Sequence, residues 1–144
     1  MATLTIANSV IMLGINSVYP TPVQLQQYAA DDVFDFEEIE VAETVMGVDG
    51  VLSGGFVFSK IPWSITLQAN SPSCQVFDNW YAYQKAPGSD IVTATANIRL
   101  PGLGYKWALL NGFLTKYNPA PSAKKLAQPR KFTIEWNSIT PAPL

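Results

Sequence analysis

The stretch "IVTATANIRL", Ile91–Leu100, alternates apolar and polar side chains at every second position. One set faces one way: Val92, Ala94, Ala96, Ile98 and Leu100. The opposite set is Thr93, Thr95, Asn97 and Arg99. A period of two residues is typical of a strand with one buried face and one exposed face. This stretch therefore predicts a strand of a half-buried β-sheet.

Other parts of the chain repeat this signal or have the length and apolar character of a strand. The further predicted strands are Ser9–Ile15, Ile39–Met46, Trp63–Ala69, Tyr105–Tyr117 and Lys131–Trp136. Asn111-Gly112, in the middle of the longest of these, indicates a hairpin or a bulge. We find no internal repeat. The sequence therefore predicts many antiparallel strands.

One segment follows a helical pattern instead, "SPSCQVFDNWYAYQKAPG" at residues 71–88. Ser71 is placed as the N-cap, Pro72 at the first helical position, and Pro87-Gly88 as the stop. Apolar side chains recur at helical spacing between them: Val76, Phe77, Trp80 and Tyr81. The predicted fold class is therefore mainly β, an antiparallel β-sandwich or barrel with one flanking α-helix at about residues 72–86.

The glycine-rich stretch "VMGVDGVLSGGFV", Val45–Val57, suggests a ligand loop at first sight. A phosphate loop needs Lys and Ser or Thr after its last glycine, where Phe56 and Val57 stand. A calcium loop needs oxygen ligands at positions occupied by Val45 and Gly47. Turn chemistry fits better, so we predict a hairpin turn at Asp49-Gly50. A bend or bulge at residues 53–55 and a strand at 56–59 should follow.

The composition argues for assembly and against most catalytic chemistry. The chain of 144 residues suggests one domain, and charged residues make up only 14% of it, which leaves apolar surface for burial against partners. Histidine is absent and Cys74 is the one cysteine. We therefore expect no enzyme activity, catalytic residue, metal site or cofactor. The carboxylate pairs Asp31-Asp32 and Glu37-Glu38 are weak evidence for catalysis, because neighbours on a strand face opposite ways.

The charges are divided unevenly along the chain. Residues 1–59 contain eight of the eleven acids and no Lys or Arg, whereas residues 60–144 contain all nine bases and three acids. Six acids are candidates for a subunit interface or a channel lining: Asp31, Asp32, Asp35, Glu37, Glu38 and Glu40. Four basic residues are candidates for contacts with another subunit: Lys124, Lys125, Arg130 and Lys131. Within the single domain 1–144, we expect extended arm or loop segments near residues 18–38 and 118–131.

The basic segment, residues 119–131, leaves three interpretations open. It is a solvated loop, a contact for a neighbour's acidic segment, or part of a nucleic-acid-binding module. The last lacks aromatic residues interleaved for base stacking. No apolar run approaches the roughly 20 residues of a membrane-spanning helix, and no signal peptide is evident, so we expect a cytoplasmic site of synthesis.

Four blocks, in order and spacing, resemble tail tube proteins of contractile-tailed bacteriophages. They are "VMGVDGVLSGGFV", "ITLQANSPSCQVFDNWYAYQKA", "ATANIRLPGLGYKWALLNGFLTKYNPAPSAKK" and "QPRKFTIEW". The resemblance covers about residues 20–138 and implies a β-sandwich-like subunit with a flanking helix. It also implies a relation in fold to the tube protein of type VI secretion.

The resemblance further implies a structural virion protein without catalytic residues. Six copies would form a ring, and stacked rings would form the hollow tail tube that conducts double-stranded DNA without binding it specifically. The implied partners are other copies of the chain, the tail sheath protein, the baseplate hub and the tape measure protein. A baseplate or tube-terminator relative is an alternative within the same class. The implied location is the virion tail, assembled in the host bacterial cytoplasm.

Overall fold

A computed structural model of the chain describes residues 9–28, 33–86, 88 and 90–144. These residues form nine strands and one helix, so the predicted mainly β fold with a flanking helix is confirmed. The elements are β1 Val10–Ile15, β2 Tyr19–Gln24, β3 Phe34–Phe36, β4 Ala42–Met46, β5 Leu52–Phe56, β6 Ile61–Leu67, α1 Cys74–Lys85, β7 Ala94–Leu100, β8 Tyr105–Lys116 and β9 Arg130–Pro143.

Seven strands form one sheet in the order β2-β1-β7-β8-β9-β6-β3, and every pairing in it is antiparallel. Strands β2 and β3 are the two edges, so this part of the chain forms an open sheet and no closed barrel. Strands β4 and β5 form a separate two-stranded sheet. Between the two predicted alternatives, the structure is therefore a sandwich-type arrangement.

The predicted alternation decides which face of the sheet is buried. Every second residue is buried along β6 and along β7, and the polar residues between them face the other side. Helix α1 covers the apolar face, where the rings of Phe77 and Phe132 stack with centroids 4.3 Å apart. Trp63, Trp80 and Trp136 are also fully buried. Stacked, fully buried aromatic rings contribute strongly to a core because they remove large apolar areas from water.

The helix begins later than predicted, at Cys74. Neither Ser71 nor Ser73 caps the helix with its side chain. Both hydroxyls form hydrogen bonds with the backbone of Gln26, which belongs to another segment of the chain. The Ser71 hydroxyl donates to the Gln26 carbonyl, and the Ser73 hydroxyl accepts a hydrogen bond from the Gln26 N–H at 2.7 Å. Pro87, the predicted stop signal, lies outside the described residues.

Strand β8 runs without interruption from Tyr105 to Lys116, so Asn111-Gly112 is not a hairpin. The register between β7 and β8 shifts beside it, which confirms the alternative prediction of a bulge. Asn111 has a φ of 54° there. A Cβ on Gly112 would lie 2.5 Å from ring carbons of Trp136, so a glycine is needed for this close approach.

Further boundaries differ from the prediction, including those of β4, which begins at Ala42, and β6, which covers Ile61–Leu67. Strand β9 extends to Pro143, and β7 begins only at Ala94. Strand β5 covers Leu52–Phe56, so the predicted bend at residues 53–55 and strand at 56–59 are wrong. Gly54 instead lies opposite Thr44 in the β4–β5 ladder, where a Cβ would lie 3.1 Å from the Glu43 carbonyl oxygen.

Candidate assembly surfaces

The β4–β5 hairpin extends from the domain with every strand residue exposed. Its turn contains Asp49 and Gly50, and Gly50 has a φ of 83°. The Asp49 carboxylate accepts a hydrogen bond from the Val51 N–H at 3.1 Å, and the Gly47 N–H donates to the Val51 carbonyl at 2.9 Å. Side-chain and backbone bonds therefore shape the turn, and the Asp49 carboxylate and the Gly47 and Val51 carbonyls accept hydrogen bonds within the chain.

The side chains of this hairpin are unusually apolar for an exposed element. Met46 is 62% exposed, Phe56 is 70% exposed, and Phe58, just after the hairpin, is 92% exposed. Met46, Leu52 and Phe56 lie on one face of the two-stranded sheet, because Met46 pairs with Leu52 and Ala42 with Phe56. A two-stranded hairpin is marginal on its own, and large exposed apolar patches mark interaction sites. The hairpin therefore has the properties of a binding surface.

The described acidic candidates lie on and after edge strand β3. Asp35, Glu37, Glu38 and Glu40 are all exposed, and none of these four forms a salt bridge with a described residue. Asp31 and Asp32 lie outside the described residues. The segment is held to the sheet by its backbone, since the Glu37 N–H donates to the Pro62 carbonyl at 3.4 Å. The carboxylates themselves are thus available to a partner.

The acidic segment and the basic segment lie near the two ends of strand β6. Its first residues, Ile61 and Pro62, adjoin the acidic segment, and its last residue, Leu67, pairs with Arg130 at the start of β9. Strand residues rise about 3.3 Å each, so seven residues separate the two ends by about 20 Å. Lys124, Lys125 and Lys131 are exposed near the second end. Glu37, Glu38 and Glu40 therefore lie toward the end of β6 opposite to these lysines. Asp35 instead lines one cleft with Lys131, and Arg99 and Lys106 lie at the acidic end of the strands.

Arg130 differs from these three lysines because its side chain is only 7% exposed. Its guanidinium donates to the Asp78 carboxylate at 2.8 Å and to the Asn118 carbonyl at 2.7 Å. The same carboxylate accepts a hydrogen bond from the Tyr117 hydroxyl. Arg130 thus joins helix α1 to the start of the β8–β9 loop, and we leave it out of the residues proposed below to contact another subunit.

The neighbouring side chains of this cluster lower the pKa of the Asp78 carboxyl. Burial alone would raise its pKa, but the hydrogen bonds from Arg130 and Tyr117, together with the Arg130 charge, hold the pKa below its ordinary value. The carboxylate therefore stays ionised beside its cation. This arrangement accounts for the cluster as a structural one, because each polar group in it already has a partner.

Cys74 is buried, and burial raises the pKa of its thiol. Among the residues that the structure describes, no group of three or more His, Cys, Asp or Glu side chains could hold a metal ion. The helix in this part of the chain is too short to cross a membrane. The surfaces that remain for interpretation are the hairpin, the acidic segment, the lysine end of the sheet and the uncovered sheet face.

The fold of this chain is similar to that of chains in contractile injection systems. A chain in the cryo-EM structure of the anti-feeding prophage cap (AFP tube terminating cap) matches with a TM-score of 0.66 and 11% identity, over 100% of this chain and 93% of that one. A chain in the sheath/tube terminator of the PVC extracellular contractile injection system matches with a TM-score of 0.67 and 11% identity, over 99% and 98%. A chain in the PVC sheath-tube complex gives 0.59 and 11%, over 93% and 88%.

The sequence itself matches the family described as "Tail fiber protein gp32" over residues 2–140. The chain belongs to this family of tail proteins. No curated protein matches the sequence. The resemblance to tail tube proteins is confirmed at the level of the fold, which is that of the cap, terminator and sheath-tube chains. The family description names a fibre, whereas the described fold is a compact sandwich.

Proposed function

We propose that this chain is a ring-forming structural subunit of a contractile tail, in which six copies close a ring and rings stack into the tail tube. The observation that carries the proposal is the exposed apolar hairpin β4–β5. An element that buries none of its strand residues in the subunit gains its stability by packing against another copy. The fold shared with cap and terminator chains supports the same interpretation.

Stacking follows from the charges at the two ends of the sheet. The acidic residues Glu37, Glu38 and Glu40 of one ring face Lys124, Lys125 and Lys131 of the next; Asp31, Asp32 and Asp35 belong to the same proposed acidic set. Complementary charges orient subunits and favour one register of association. Because the acids are neutralised in this contact, they dock rings together and do not line the channel.

The channel conducts double-stranded DNA without specific binding, and the tube sits inside the sheath, between the baseplate hub and the far end, around the tape measure protein. The uncovered face of the sheet carries the uncharged polar residues Thr95, Asn97, Ser64 and Thr133, together with the charged residues Arg99, Lys131 and Asp35. A lining of mixed character suits transport, because a densely basic lining would hold phosphates through counterion release. No catalytic step is part of this function.

Electron microscopy and analytical ultracentrifugation of the purified protein test the proposal. Wild-type protein should form six-fold rings that grow into tubes as concentration rises, and high salt should shorten the tubes because it screens the stacking contact. A protein that stays monomeric at every concentration and salt, with or without DNA, would overturn it.

A second candidate within the same class is a tube terminator, favoured by the fold that this chain shares with the cap and terminator chains. The two functions differ in one measurable property. A tube protein polymerises through both faces of its ring, whereas a terminator forms one ring at the end of a tube. Single rings that never stack in any buffer would select the terminator.

A further inference from the structure

Two cations lie side by side on the uncovered face of the sheet. Arg99 is directly opposite Lys106 in the β7–β8 pairing, and both side chains are exposed. The residues paired with them on the outer strands are Val10 and Ala142, which carry no charge. Neither cation forms a salt bridge with any carboxylate in the described part of the chain. The pair is therefore a local concentration of positive charge on this face.

The acids of the sheet are too far away to balance the pair. The seven strands of the described sheet contain two acids, of which Glu135 is one. It lies opposite Phe113 in β8, seven residues from Lys106, which corresponds to about 20 Å along a strand. Its carboxylate already has a partner, because it forms a salt bridge with Lys60 at 3.2 Å.

Asp35, the second acid, lies on edge strand β3, which is three strands away from β8 in the sheet. Strands are spaced about 4.8 Å apart, so this separation alone is about 14 Å. Asp35 also lines a cleft with another cation, Lys131. The Debye length at physiological salt is about 8 Å, so exposed charges at such distances are largely screened from each other.

The Arg99–Lys106 pair is thus uncompensated within the described subunit. Like charges placed opposite each other on neighbouring strands destabilise a sheet. An anion from outside the subunit would remove this repulsion, so the pair has the chemistry of an anion contact.

The acidic segment at the same end of the strands lies on the other face. Glu37 lines a cleft on the covered side of the sheet together with Leu100 and Trp107. Arg99 and Lys106 directly precede these two residues, and consecutive strand residues face opposite sides. The acidic segment also has its proposed partner already, in the lysines of the next ring. The anion for the pair must therefore come from the channel side.

The uncovered face is the proposed channel lining, and the proposed cargo of the channel is itself a dense anion. Double-stranded DNA carries one negative charge per about 1.7 Å of its axis. A guanidinium can donate two hydrogen bonds to one phosphate, and a lysine ammonium binds phosphate as a point charge. Arg99 and Lys106 together thus match the chemistry of a phosphate backbone.

We propose that Arg99 and Lys106 of each copy contact the phosphates of double-stranded DNA as it passes through the tube. The proposal rests on the ring-forming function proposed above and names the channel residues that contact its cargo. Phosphate contacts carry no sequence information, so they agree with conduction without specific binding. Thr95 and Asn97 beside Arg99 are uncharged. Each ring therefore presents one narrow band of cations, which contacts the DNA weakly without holding it along the whole lining.

Co-sedimentation of a short fluorescent DNA duplex with assembled tubes tests the proposal. The duplex is titrated at several salt concentrations at which electron microscopy shows intact tubes. Wild-type tubes should retain the duplex at low salt and release it as salt rises. R99Q/K106Q tubes should bind it roughly tenfold or more weakly, and the log–log salt dependence should become shallower by at least about 1, because phosphate contacts are lost. Circular dichroism and thermal melting should show that this variant is folded and no less stable than wild type, because a like-charge pair has been removed.

Three controls separate channel binding from other binding. R99K/K106R keeps both charges and should retain the duplex. K85Q removes an exposed cation from helix α1, on the side of the sheet away from the proposed channel, and should leave retention unchanged. A duplex with streptavidin bound at both ends is too bulky to enter a tube and should not be retained.

Each outcome supports or overturns the phosphate contact. If wild-type tubes form but retain no duplex at low salt, or if R99Q/K106Q tubes retain it equally well, the contact is wrong while the ring function stands. Equal retention of the streptavidin-blocked duplex would overturn it too, because the binding would then be outside the channel. If folded R99Q/K106Q forms no rings, the pair belongs to a contact between copies instead. If polyglutamate binds wild-type tubes more tightly than the duplex, an acidic protein segment is the ligand and the phosphate contact is wrong. If wild-type protein forms no rings at all, the ring function falls and the channel contact falls with it.

Discussion

The sheet beneath helix α1 and the hairpin β4–β5 follow opposite rules, although both are antiparallel strands of one chain. In the sheet, every second residue of β6 and β7 is buried, and the helix packs on that face. In the hairpin, every strand residue is exposed, and apolar side chains stand in water. The comparison teaches that one region is stabilised within the subunit, whereas the other is arranged for contacts that the subunit alone does not contain.

Truncation of an aromatic residue in the core of the sheet should cause the largest loss of stability, because no residue of the hairpin strands is buried. Phe132→Ala removes a fully buried ring that stacks on Phe77. We expect a loss of about 3–5 kcal/mol in the free energy of unfolding, from lost burial and a residual cavity. Urea denaturation of the monomer checks this value. A loss below about 1 kcal/mol would contradict the assigned core.

A glycine-to-alanine substitution in the sheet and another in the hairpin compare the packing of the two regions directly. Gly112→Ala places a methyl group 2.5 Å from Trp136, and we expect it to cost about 1–3 kcal/mol through overpacking. Gly55→Ala in the hairpin meets nothing within 4 Å and should change stability by less than about 0.5 kcal/mol. Thermal melting of both variants provides the comparison. Equal effects would mean that the bulge at Asn111 can relax around the new side chain.

The Asp78–Arg130 pair predicts how acid affects the sheet region. The pKa of Asp78 is lowered in the folded chain, so its contribution to stability is present above the unfolded pKa of about 3.9 and is lost as the pH falls through the lower, folded value. Asp78→Asn should cost about 1–2 kcal/mol at pH 7. This is less than for a fully buried pair, because the Asp78 side chain is 41% exposed. Urea titrations at pH 7 and pH 3 should show the variant and wild type converging at the lower pH, and a constant difference would contradict the assignment.

The smallest effect on stability should accompany a large effect on assembly. Leu52→Ser with Phe56→Ser changes two exposed side chains on one face of the hairpin. The unfolding free energy of the monomer should change by less than about 0.5 kcal/mol, while ring and tube formation in electron microscopy should be lost. Thr44→Ser, on the same face, serves as the control that assembles normally. Intact tubes from the double variant would contradict the proposed role of the hairpin.

Much of the fold was predictable because burial alternates with a regular period. The alternation in residues 94–100 and 63–67 predicted strands β7 and β6 with their buried faces, and helical spacing around Trp80 predicted α1. The start of α1 was less predictable, because Ser71 and Ser73 bond to Gln26, which is distant in sequence. Local capping rules cannot include a partner that only the tertiary structure brings near.

The candidate surfaces were predicted less well than the fold. From the sequence, Arg130 is predicted to be an exposed basic residue like the lysines near it. Its partner Asp78 lies 52 positions away on the helix, so their ion pair could not be predicted from local sequence. The short connection between Arg99 and Lys106 predicts neighbouring antiparallel strands. Only the β7–β8 register, however, places these two like charges directly opposite each other.

The sequence by itself determined helix α1 and the strands β6 and β7 with their buried faces, because hydrophobic periodicity acts locally along the chain. It also determined the uneven distribution of charge and the absence of histidine chemistry. The tertiary structure alone decided which charges are satisfied within the subunit and which remain for a partner. Salt bridges, strand registers and exposure depend on residues far apart in sequence, and these relations arise only when the sheet is assembled.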